Sequence, residues 1–257
     1  MTIRVGILGL GEAGSKIAAD LAQSGHDVHA WDPVAVETPP LVARASSDRE
    51  VVAGAAVVIS LTTAAHAVAA AASVGPALQP HQVYADLNTC LPAKKREVGG
   101  IIASAGALFA DVALLGSVPR RGIETPALAS GTGAGRFAAL LGSVGMPVHV
   151  VGTEAGDAAA LKLLRSVFMK GLAASVVESL RAAEQYGAPD WLRTEIAGVI
   201  GEEWVDRLVA GSSTHSVRRR QEMHDAAEML VDLGIEPRVT NAAERWFEQL
   251  EAEQRDA

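Results

Sequence analysis

The chain has 257 residues, 49% of them hydrophobic, which is enough to bury one large core or two modest ones. Its 22 basic and 30 acidic side chains give a net charge of -8, and the one basic run, Arg218-Arg219-Arg220, is short; this excludes a protein whose main affinity is for phosphate backbones. A single cysteine, Cys90, cannot form an internal disulfide, and no uncharged stretch approaches the ~20 apolar residues of a bilayer span, so a cytoplasmic protein without nucleic-acid or membrane partners is expected.

In chain order, Ile3 to Leu8 reads as a strand, and Gly9-Leu10-Gly11-Glu12-Ala13-Gly14 follows it and opens a helix. Gly9 permits the tight turn, Gly11 lets backbone approach a pyrophosphate, and Gly14 allows helix to pack closely on strand. The start of that helix offers N–H groups and partial positive charge to phosphates. A second strand, Asp27 to Trp31, ends at Asp32, eighteen residues past Gly14, where a carboxylate can accept hydrogen bonds from ribose hydroxyls. It would also repel a 2′-phosphate, and no Arg follows until Arg44, so NAD is favoured and NADP is not excluded.

Further strand candidates are Val57 to Leu61, Val83 to Asp86, Leu108 to Ala113, Ala127 to Gly131 and Val148 to Val151. Helix-compatible stretches lie between them, including the alanine-rich Ala64 to Ala72, and Gly25, Gly75, Gly106 and Gly145 stand at C-cap positions. Such alternation predicts βαβ units in a doubly wound, mainly parallel sheet of Rossmann type. Leu61, Thr62 and Thr63, at or beyond the end of a later strand, are counted with Gly9, Gly11, Glu12, Ala13, Gly14 and Asp32 as cofactor-binding positions.

After Gly152 the strands stop. Nothing but Gly171 interrupts a helix from Asp157 to Tyr186, and its apolar residues fall on every side, so it is expected at the centre of an assembly. Shorter helices are predicted at about 190–209, 216–233 and 240–254, with Ala210 to Thr214 as a loop and Gly234 as a cap. The expected organisation is a dinucleotide-binding domain, 1–152, and a smaller all-helical domain, 153–257, on a long central helix. A small domain cannot easily cover such a helix alone, which predicts a homodimer through the C-terminal domains.

Four segments resemble the 3-hydroxyisobutyrate and 6-phosphogluconate dehydrogenase-like superfamily. They are the fingerprint with Asp32; Asp86-Leu87-Asn88-Thr89-Cys90-Leu91-Pro92, similar to an Asp-x-Ser-Thr-x-x-Pro segment beside the nicotinamide; Asp111 to Ser117, in place of Asp-Ala-Pro-Val-Ser-Gly-Gly; and Gly156 to Lys162, similar to the start of the helix bearing the catalytic lysine. The compact C-terminal part resembles a group of relatives with a His-x-x-Arg-Arg-x-x-Glu-Met-like stretch, here His215 to Met223.

The resemblance implies hydride transfer between a nicotinamide and a small hydroxy- or oxo-compound, with or without an acidic group, and Lys162 as general acid/base. Moving a proton at the reacting oxygen requires a pKa near working pH. Burial, nearby cations and an oxidised nicotinamide each push a lysine down from about 10.4. At 100° per residue, Lys162, Arg165, Ser166, Met169 and Lys170 share one face of about 140°.

Asn88 replaces the family's serine, Ser166 its asparagine, and Leu115-Gly116-Ser117 its Ser-Gly-Gly. Lys162, Asn88 and Ser166 are the implied catalytic residues, and the resemblance adds Thr89 to the cofactor-binding positions. Leu115, Gly116, Ser117, Lys170, His215 and Arg218 are the implied substrate contacts. No spacing of Cys, His or acids suggests a metal. An imine-type reductase of the same architecture, and a non-catalytic dinucleotide-binding protein, remain alternative expectations.

Overall fold

Strands and helices alternate through residue 150 in the structure, a computed structural model that describes residues 2–255. The order is β1 (Arg4–Leu8), α1 (Glu12–Gln23), β2 (Asp27–Trp31), β3 (Ala43–Arg44), α2 (Asp48–Val52), β4 (Val57–Ser60), α3 (Ala67–Val74) and β5 (Val83–Asp86). There follow α4 (Pro92–Ser104), β6 (Leu108–Leu114), α5 (Val118–Arg121), β7 (Ala127–Ser130), α6 (Ala134–Gly142) and β8 (Val148–Val150). One eight-stranded sheet results, ordered β3-β2-β1-β4-β5-β6-β7-β8, with every pairing parallel except β6 with β7.

Both faces of this sheet are covered. Along β4, Val57 and Ile59 enter one apolar core while Val58 enters the other, the two-residue period of a strand buried on both sides. The chain order reverses between β1 and β4, and at such a switch point ligands bind beyond the carboxyl ends of the strands. Seven strands occupy the positions the sequence suggests. The eighth, β3, is two residues long and too short to leave a periodic signal. Gly25, Gly106 and Gly145 take the left-handed conformation of a helix-ending glycine, whereas Gly75 stays right-handed and continues into a short 3-10 turn.

The remaining elements are α7 (Asp157–Tyr186), α8 (Pro189–Ile200), α9 (Glu202–Thr214), α10 (Ser216–Asp232) and α11 (Arg238–Arg255). The chain divides into two compact units between Lys162 and Leu163, inside α7. The first turn of α7 goes with the sheet because its N–H groups bind Asp111 there.

In the helical unit, Val205, Leu208, Met223, Ala226, Ala243 and Phe247 are buried. Gly201, at φ 88° and ψ 144°, breaks the expected 190–209 helix in two. Ala210 to Thr214 are not a loop but the last turns of α9: Ser212 is buried and its hydroxyl donates back to the Leu208 carbonyl, so two serines and a glycine do not end the helix. Among the described residues, no helix is long and apolar enough to cross a membrane.

Candidate active site

The Gly9–Gly14 loop leaves the carboxyl end of β1. Gly9 has φ 96°, and a Cβ there would lie 2.5 Å from the Leu61 carbonyl oxygen, so the turn and the close approach of the residue 61–63 strand end both require glycine. Gly11, the N-cap of α1, is different. Its backbone, φ -67° and ψ -171°, suits any residue, and a Cβ would meet nothing within 4 Å. The protein's own packing therefore does not ask for glycine at position 11. A phosphate group drawn against the backbone does, and the first N–H groups of α1, those of Glu12, Ala13 and Gly14, have no carbonyl within the helix to bond. These residues fit a dinucleotide.

Asp32 stands beside this loop, its Oδ2 accepting the Leu10 N–H at 2.7 Å and its Oδ1 the Val34 N–H at 2.8 Å. Each carboxylate oxygen keeps acceptor capacity for a ribose hydroxyl. Pairing of β3 with β2 brings Arg44 here, and its Nη2 donates to the carbonyls of Asp32 and Val34 at 2.7 and 3.3 Å. A cation is thus near in space, though twelve residues away in sequence. On the neighbouring loop Thr62 Oγ1 donates to the Thr63 carbonyl at 3.4 Å, and Thr63 Oγ1 hydrogen-bonds His66 Nδ1 at 2.8 Å.

Lys162 and Thr89, separated by 73 residues, meet: Lys162 Nζ donates to Thr89 Oγ1 at 2.6 Å, and both residues are half-buried. Asn88 faces inward instead. Its Nδ2 donates to Asp86 Oδ1 at 2.6 Å and to Ser60 Oγ at 3.1 Å, which uses both amide hydrogens on the protein. Leu115, Gly116 and Ser117 form the turn from β6 into α5, with Leu115 half-buried.

The other predicted residues lie in the helical unit. Ser166 is buried, and its hydroxyl donates to Glu222 Oε2 at 3.4 Å while accepting from Lys170 Nζ at 3.0 Å. Lys170 Nζ is also 2.5 Å from Glu222 Oε2; burial lowers its pKa and Glu222 opposes that. Its charge is therefore already met by a carboxylate. His215 is exposed and stands at the residue position just before α10; Arg218 is exposed too, 3.8 Å from Glu222. The inward arginine is Arg219, which bonds Ser212 Oγ at 2.7 Å, lies over the Phe247 ring and has its pKa pushed down by burial to about 10.

Sequence inspection missed Lys95. Only 1% exposed, its Nζ donates to the Asp86 carbonyl at 2.7 Å and lies 3.3 Å from Asp86 Oδ2 and 3.2 Å from Asp111 Oδ1. The available signal was helical spacing: Lys95 shares the i, i+3, i+4, i+7 face of Val98, Gly99 and Ile102, all buried. Asp111 Oδ2 in turn accepts the N–H groups of Gly156 and Ala159 at 3.2 and 3.0 Å, satisfying the start of α7.

Comparison with known proteins agrees with this architecture. Residues 183–250 match a domain family of unknown function. A solved conserved protein of unknown function, described as structurally similar to 3-hydroxyacid dehydrogenases, is 30% identical; the match covers 97% of each chain at a TM-score of 0.78. The 3-hydroxyisobutyrate dehydrogenase of Mycobacterium tuberculosis, solved with L-serine, has a TM-score of 0.83 at 22% identity, over 98% of this chain and 94% of that one. A reductive aminase of Aspergillus terreus, solved with NADPH, shares the fold at a TM-score of 0.65 and 18% identity, over 98% and 95%. Residues 4–152 match the NAD binding domain of 6-phosphogluconate dehydrogenase, and the chain belongs to that family.

Proposed function

We propose that this chain is a nicotinamide-dependent oxidoreductase acting on a small hydroxy- or oxo-compound, with Lys162 as the group that moves the proton. The observation that carries this reading is the 2.6 Å bond from Lys162 Nζ to Thr89 Oγ1, which joins the long helix to the segment after β5. Gly9, Gly11, Gly14 and Asp32 would hold the dinucleotide, NAD in preference to NADP. When bound, it supplies the hydride or accepts it.

In the reducing direction Lys162, as ammonium, gives its proton to the substrate oxygen as negative charge develops there; in the oxidising direction, as amine, it takes the hydroxyl proton. Thr89 accepts one of the three donor hydrogens of the ammonium and so orients the others. With both Asn88 amide hydrogens engaged by Asp86 and Ser60, Asn88 holds the loop under Thr89 and is not offered as a donor to substrate.

A second reading is favoured by Leu115. This apolar side chain stands where the resembling enzymes have a serine, so a substrate without a carboxylate, such as an imine, is accommodated as well as a hydroxyacid. We also propose a cytoplasmic homodimer, supported by the single cysteine and by Leu164 and Phe168 of α7, which are 44% and 68% exposed in the single chain.

The test is consumption of NADH, followed by absorbance, over a panel of 3-oxo acids, 2-oxo acids, aldehydes and cyclic imines. Turnover with at least one class is expected, and Lys162→Met should lower kcat by about 10²-fold or more while NADH still binds. NADH binding with no turnover on any class, or a Lys162→Met variant as active as the parent, overturns the reading.

A further inference from the structure

Asp86 and Asp111 face each other across the parallel pair of β5 and β6, and both carboxylates are fully buried. Two adjacent buried charges of one sign repel strongly at low dielectric, and Lys95 is placed between them. Burial by itself would strip the Lys95 proton; Asp86 and Asp111 outweigh it, and the ammonium is held above its ordinary value.

Each carboxylate then serves a different part of the site. Asp86 Oδ1 accepts the backbone N–H of Asn88 at 3.0 Å and its side-chain amide at 2.6 Å, which fixes the turn that delivers Thr89. Asp111 Oδ2 accepts the N–H groups of Gly156 and Ala159 and the Ser130 hydroxyl at 3.3 Å, and Ser130 Oγ accepts the N–H of Ala158 at 3.0 Å. That fixes the first turn of α7, and Lys162 follows Ala158 by one helical turn.

We propose that Lys95 is a positioning residue: by bridging Asp86 and Asp111 it joins the anchor of Thr89 to the anchor of Lys162 and sets the bond between them. The juxtaposition stands on geometry alone; its catalytic consequence rests on the role proposed for Lys162. Without the Lys95 charge, one carboxylate takes up a proton or the two separate, and either change reaches Thr89 and Lys162 through the bonds above.

The chain has five lysines, Lys16, Lys94, Lys95, Lys162 and Lys170, so protein labelled with ¹³C,¹⁵N-lysine gives a small set of side-chain resonances. Loss of a signal in Lys162→Arg identifies Lys162, and Thr89→Val defines its position once the bond is gone. In Lys95→Met the Lys162 resonance is expected to move in the Thr89→Val direction. Ser130→Ala, which keeps every charge, should move it the same way by less, and it decides the matter if Lys95→Met does not fold.

A Lys162 resonance at its wild-type position in folded Lys95→Met overturns the proposal, whatever happens to thermal stability. So does an unmoved resonance in Ser130→Ala when Lys95→Met is unfolded. Where a substrate is turned over, Lys95→Met should lower kcat about tenfold or more with KM held within about twofold, the mark of a misplaced reacting group. Absence of turnover on the whole panel sinks the enzymatic reading but leaves the resonance test intact.

Discussion

A methyl group on Gly14 would stand 2.0 Å from the carbonyl oxygen of Gly9. The obstacle is backbone, which cannot swing aside as a side chain can, so α1 must lift off β1 to admit it. Gly14→Ala is expected to cost about 3 kcal/mol or to prevent folding. Gly11→Ala meets open space and should keep the melting temperature of the parent, yet lose NADH affinity about tenfold or more because the added carbon occupies the approach to the backbone. Thermal melts and NADH fluorescence titrations of both variants decide it; a Gly11→Ala protein that binds NADH normally removes the dinucleotide assignment of this loop.

If the Gly9–Gly14 loop holds a dinucleotide as proposed, the balance between Asp32 and Arg44 is expected to set which nicotinamide form is preferred. Asp32 is fixed by two backbone N–H groups, while the Arg44 Nη2 is directed at carbonyls of the same segment. A 2′-phosphate would meet the carboxylate directly, so NADH should bind about tenfold or more tighter than NADPH, a gap of about 1.4 kcal/mol. Asp32→Ser should narrow that gap by weakening NADH and relieving the repulsion. Titration of both coenzymes against both proteins is the check, and parent protein that prefers NADPH contradicts the assignment to NAD.

What was legible in the sequence follows from which interactions are local. Glycine spacing, the alternation of strand and helix, and the uninterrupted 30-residue run of α7 each leave a short-range pattern, and the structure has these elements where those patterns lie. Gly201 was overlooked because neighbouring residues favour helix on both sides and only its φ of 88° reveals the break. The partners of Lys95 and Arg44 were illegible for another reason. They are 9 to 16 residues away for Lys95 and reached through strand pairing for Arg44, so only topology brings charge to carboxylate or carbonyl. Inward-turned Asn88 belongs with them: composition shows an amide, but its orientation is decided by Ser60 on β4.

The helical unit carries a pH-sensitive fastening between α7 and α11. Arg181 donates to Glu253 with both terminal nitrogens, at 2.8 and 2.6 Å, and those hydrogen bonds hold the Glu253 carboxyl well below its ordinary 4.5, at about 2. A carboxyl depressed in the folded state adds stability at pH values above 4.5, and that stability disappears as pH falls from 4.5 toward about 2. The two side chains are 38% and 43% exposed, so solvent screens the pair and about 0.5–1 kcal/mol is expected at neutral pH. Urea denaturation of the parent and Glu253→Gln should therefore differ by that amount at neutral pH and converge as pH falls toward about 2, with added salt shrinking the neutral-pH difference. A difference that stays constant with pH would mean the glutamate acts through packing and not through its charge.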